Sequence, residues 1–125
     1  MWWGSFGKGT LDGVDRLDQL FARSLREIEA HAGELAQTET GGFLINEAAQ
    51  LLAALRLWAQ TQYRSDQAVR EILEAVDEVA LGGVADDLRA QGGRDARAAS
   101  GTVTATVRLP REHLTAIASY AVRAL

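Results

Sequence analysis

The sequence predicts a mainly α-helical protein: a long antiparallel helical hairpin with a short third helix, one β-strand at about 102–109 and a C-terminal helix. Apolar residues recur at three- and four-residue spacings over most of residues 11–91, the period of an amphipathic helix. The apolar part of the chain, 47% of its residues, is mainly Ala, Leu and Val with a single proline, a mix that suits helix and is too hydrophobic for a disordered chain. One stretch alone, 102–109, alternates strictly as a strand does. At 125 residues a single domain is expected, with an aromatic, Gly-rich arm (1–10), a hairpin region (11–91), a connector (92–101) and a strand plus terminal helix (102–125).

The first helix is expected over about 11–37. Val14, Leu17, Phe21, Ile28 and Leu35 share a face, Thr10 is placed to cap, and Asp12 and Asp15 put negative charge on the positive end of the helix dipole. Thr40-Gly41-Gly42 then supplies a reversal, since adjacent glycines permit left-handed conformations. A second helix, continuous from Ile45 to Ala80, would be about 54 Å long at the helical rise. Its seam of Ala48, Leu51, Leu55, Trp58, Gln62, Ser65, Val69, Ile72, Val76 and Val79 repeats every seven residues, as in a coiled coil. The alternative is a kink where Ser65-Asp66 caps a fresh helix.

Gly82-Gly83 breaks the pattern, Val84 to Gln91 gives two further helical turns, and Gly92-Gly93 opens a mobile connector. In 102–109, Val103, Ala105, Val107 and Leu109 fall on one face of the expected strand. Such a strand needs a partner for its backbone, and the chain offers no second segment of comparable alternation, so pairing between chains is expected. Pro110 suits a helix first turn, and Leu114, Ile117, Ala121 and Leu125 stripe the terminal helix.

Charge and composition exclude several functions. The chain carries a net −4, with the acid concentrated in residues 1–92 and a small basic excess in 93–125, a weak footprint for nucleic acid. Without cysteine there is no disulfide, thiolate nucleophile or Cys-based zinc site. Glu27, His31 and Glu34 lie near one helix face, but no second histidine joins them, so a solvated or seam histidine is favoured over a metal site. Asp77/Glu78 and Asp86/Asp87 are adjacent in sequence and point apart on a helix, which removes support for paired-carboxylate catalysis. No Ser-His-Asp arrangement is present, so neither catalytic residues nor a cofactor are expected. Met1 to Lys8 lacks the pattern of a secretory signal, and the most apolar run, Leu51 to Ala59, is interrupted by Arg56 and far short of a membrane span; a cytoplasmic or particle-associated protein is expected.

Function is therefore expected in assembly: a non-enzymatic, self-associating component of a larger complex such as a phage particle. The expected interface comprises Trp2, Trp3 and Phe6 of the arm, Leu55, Trp58 and Gln62 of the seam, and Val103, Ala105 and Val107 of the strand. Gln62 and Ser65 would set register and oligomer state. The alternative is an anion- or nucleotide-responsive regulator using Gly7, Lys8, Gly9 and Thr10. Against it, Gly9 separates Lys8 from Thr10 and no strand precedes the loop, whereas a nucleotide-binding P-loop requires Ser/Thr directly after Lys and a strand before the loop.

Overall fold

A computed structural model describes the backbone of residues 2–125 and the side chains of 16–34 and 37–125. These residues form α1 (Trp2–Ala32), α2 (Glu39–Thr61), α3 (Asp66–Ala75), α4 (Glu78–Gln91), α5 (Arg94–Val107) and α6 (Arg111–Arg123), with a 3-10 turn at Gly33–Gln37 and no strand among them. The mainly α class is thus the observed one.

The α1–α2 hairpin turns earlier than Thr40-Gly41-Gly42. Gly33 takes the left-handed conformation (φ 60), and the Thr38 hydroxyl caps α2 by accepting from the Gly41 amide at 2.9 Å. Gly41 and Gly42 therefore sit in the first turn of α2, with Gly41 buried. α2 is the central helix and packs against all five others. Every residue from Leu51 to Ala59 is buried, Arg56 included, because neighbours cover all sides of the helix. Its alanines (Ala48, Ala49, Ala53, Ala54, Ala59) keep it slender enough for that.

The continuous helix Ile45–Ala80 is corrected to three helices. At the end of α2 the Gln62 amide bonds the Trp58 carbonyl and the Arg64 amide reaches back to the Ala59 carbonyl at 2.7 Å, with Tyr63 left-handed between them (φ 56). This is a Schellman-type stop with tyrosine where glycine is usual. Ser65 then starts α3, its hydroxyl accepting from Ala68. A second stop follows at Val76 (φ 48), and the Asp77 carboxylate caps α4 through the Ala80 amide at 3.0 Å. The seam survives the breaks only in part: Val69 enters the core and Ile72 and Val76 are half-buried, but Leu73, off the seam, is the other buried residue of α3, whereas Val79 is 86% exposed and Gln62 is exposed at the cap. Gln62 and Ser65 thus act as helix punctuation and not as polar layers of a coiled coil.

Gly82 and Gly83 lie inside α4, and the expected connector 92–101 reduces to the two-residue turn Gly92-Gly93, both at positive φ. The expected strand 102–109 is corrected to the C-terminal half of α5 and the turn after it. Ala96, Ala99, Ser100, Val103 and Thr106 fall at helical spacing and are buried. The hydroxyls of Thr102 and Thr106 donate to the carbonyls four residues back, at 3.1 and 2.8 Å, so both are satisfied within the helix. Ser100 Oγ donates across to the Ala85 carbonyl at 2.8 Å and ties α5 to α4. With its amides taken up by the helix, this segment has no free edge, and the intermolecular strand pairing falls with the strand.

Pro110 precedes α6, whose Leu114, Ile117, Ala118 and Ala121 complete the core. Arg111 pairs with Glu78 at 2.7 Å, and the Arg70 guanidinium holds the Leu125 backbone oxygen.

Candidate functional site

Register fixes where the bundle ends. Arg56 of α2 lies opposite Ser24 and Glu27 of α1, donating to Ser24 Oγ at 2.9 Å and to Glu27 Oε1 at 2.6 Å. Antiparallel pairing then sets Thr61, the last residue of α2, level with about residue 19 of α1. Other elements stop nearby. Gln62 and Tyr63 after α2, and Ala90 and Gln91 at the end of α4, line one cleft with Arg16. Asp95, in the first turn of α5, lies close to Leu17 and Asp18 of α1.

This end of the bundle is strongly polar. A cleft of about 560 Å³ is lined by Arg16, Gln60, Gln62, Tyr63, Asp87 and Gln91, among others. A second hollow of about 360 Å³ continues it past Gln19 and Arg23, sharing Arg16 and Gln60. Asp87 is fixed by Trp58, whose indole N–H donates to Oδ2 at 3.0 Å, and the Arg64 guanidinium lies 5.9 Å from the centroid of that indole. Asp95 is held differently: its Oδ2 is buried without a hydrogen-bond partner. Burial pushes its pKa above the ordinary 3.8, and Asp18 adds to the shift against the opposing Leu17 amide, Arg16 and Arg94.

The residues expected at an interface are dispersed. Leu55, Trp58 and Val103 are buried in the chain's own core; Gln62 and Ala105 are exposed, and Val107 is half-buried. Trp2, Trp3 and Phe6, and the Gly4–Thr10 segment expected to form a loop, belong to the span of α1; their side chains lie outside the described residues. His31 is exposed with Nδ1 2.8 Å from the Glu27 carbonyl oxygen, while the Glu27 side chain is turned to Arg56 and, at 3.6 Å, to Arg23. Among the described residues no three His, Cys, Asp or Glu side chains are grouped to hold a metal ion, and no helix is long and apolar enough to cross a membrane.

Sequence reasoning missed the buried Arg56–Ser24–Glu27 contact, although its signal was present: one arginine inside the apolar run Leu51–Ala59, and Ser24 and Glu27 one turn apart on the preceding helix. It also missed the polar cleft, whose residues come from three separated segments and share no motif. Compared with protein families, curated proteins and solved structures, the chain matches none.

Proposed function

We propose that this chain is a non-catalytic assembly module that associates through α1 upstream of Arg16. One observation carries the reading: α2, α4 and α5 all end or begin at the level of Arg16–Asp18, whereas α1 starts at Trp2. As α-helix, residues 2–15 amount to about 21 Å of additional length. In sequence, Trp3, Phe6, Thr10 and Val14 continue the three-and-four spacing of Leu17 and Phe21. At the base of that series Leu17 and Phe21 are only partly buried and line a groove of about 230 Å³ with Gln50, Ala53 and Thr102.

Of the residues expected at an interface, Trp2, Trp3 and Phe6 are kept and Leu55 and Trp58, which are buried in the chain's own core, are dropped. An aromatic-rich helical stripe of this kind suits docking against another helix, in a second copy or another subunit. The test is solution mass by light scattering for the full chain and for a Trp2→Ala/Trp3→Ala/Phe6→Ala variant. The expected result is an oligomer that the triple variant reduces to monomer while helical content and melting of the body persist. A full chain that is monomeric at tens of micromolar, and captures no partner through α1, would overturn the reading.

A further inference from the structure

The open hollow at the α1–α2–α4 end is lined mainly by polar side chains, most of which have no hydrogen-bond or ion-pair partner among the described residues. Its wall carries three carboxamides, Gln60, Gln62 and Gln91, the Arg16 guanidinium and the Tyr63 phenol at the rim. Among the described residues none of these five side chains has a hydrogen-bond or ion-pair partner; Arg16 acts on Asp95 only through space. Asp87, the one carboxylate among the described residues of the lining, is engaged on one oxygen by Trp58. The volume, about 560 Å³, lies within the range of small-molecule sites.

Backbone strain at the rim is a second, separate observation. Tyr63 holds a left-handed conformation that disfavours a side chain, and it is 96% exposed, so packing within the chain does not repay that strain. The turn it occupies is nonetheless fixed on both sides, by the Arg64–Ala59 bond before it and the Ser65 cap after it. The effect is to hold an aromatic ring and a phenol at the mouth of the cleft.

We propose that this cleft binds a small ligand bearing an oxyanion, a carboxylate or a phosphate. Arg16 receives the anion through charge-assisted hydrogen bonds. Gln60, Gln62 and Gln91 each offer both a donor and an acceptor to the rest of the ligand. The free oxygen of Asp87 accepts from a ligand donor on the α4 wall and confines the anion to the α1 side. The site is separate from the assembly surface proposed for α1 and stands without it.

Titration of the full chain with succinate and, separately, inorganic phosphate, followed by amide NMR, tests this directly, because glutamine side-chain amides and the arginine Nε–H report individually. The expected result is a saturable shift of the Gln60, Gln62 and Gln91 carboxamides and of Arg16 with one of the two probes at millimolar concentration or below; which probe saturates identifies the anion. Arg16→Gln should weaken binding by about tenfold or more, the size of a lost charge-assisted contact. Gln62→Ala, an exposed change that leaves the core untouched, should weaken it less, and Arg111→Gln in α6, beside Glu78 at the opposite end of α4, should leave it unchanged. Shifts that stay linear with both probes to 10-fold above the millimolar range, or saturable binding that survives Arg16→Gln in a folded variant, would overturn the proposal.

Discussion

Arg56 shows how a single polar residue in a core is to be read. Its guanidinium is buried against Ser24 and Glu27, while the Glu27 side chain is a third exposed and also meets Arg23. The two halves of the pair are therefore unequal. Glu27→Ala leaves a buried cation with only Ser24 and should cost about 2 to 3 kcal/mol, whereas Arg56→Met leaves a carboxylate that water can reach and should stay within about 1 kcal/mol of the parent. Chemical denaturation of both variants checks the order, and equal losses would show the pair to be symmetric. Asp95 gives the second prediction. With a folded pKa above 3.8, the folded state holds more protons than the unfolded one over the interval just above that value. The contribution of Asp95 to stability is thus fully present below the unfolded pKa and lost as pH rises through the folded one, the reverse of a salt-bridged carboxylate. Asp95→Asn removes the buried charge and should raise stability at neutral pH and flatten this part of the pH profile. Melting curves from pH 3 to 7 measure it, and a variant less stable than the parent at pH 7 would contradict the buried, unpartnered oxygen.

At the scale of elements, legibility in the sequence followed how far local signals agreed with tertiary ones. α6 was legible because Pro110 and the Leu114–Ile117–Ala121 stripe both point to helix. Between the two readings of 45–80, the structure takes the fresh helix capped at Ser65; the continuous one was tempting because the apolar period persists while the stop at Tyr63 is made by backbone geometry in a residue that rarely takes it. α5 was misread because Thr-Val alternation satisfies period two, yet Ala96, Ala99, Val103 and Thr106 satisfy the helical period against α2 and α4. Burial decided between the two readings, and local β-propensity lost. A third prediction separates them in solution. Gly101 is exposed in α5 with open space where a Cβ would stand, so Gly101→Ala should stabilise by up to about 1 kcal/mol through helix propensity. Ala105→Pro, in the interior of the same helix, should cost about 3 kcal/mol or more and loosen the α4–α5 pair. Thermal melts of both variants decide it; a neutral proline would restore the extended reading.

For the whole molecule, the sequence made the class and the single-chain helical body legible, because both follow from composition and period. The placement of the cleft was not, since Arg16, Gln60, Tyr63, Asp87 and Gln91 meet only once the ends of α2 and α4 come to lie against the middle of α1. A helix surrounded on every side also has a consequence for the order in which the molecule comes apart. The amides of Leu51–Ala59 have no face from which water can enter while α1, α5 and α6 remain in place. Hydrogen–deuterium exchange in this stretch should therefore proceed only through global unfolding, with a free energy equal to that of denaturation, while α3, which buries only Val69 and Leu73, should exchange through local opening at a lower free energy. Peptides covering residues 51–59 should remain protonated after those of residues 66–75 have equilibrated. Simultaneous exchange of the two would mean that the molecule opens in one step, with its central helix no better protected than its periphery.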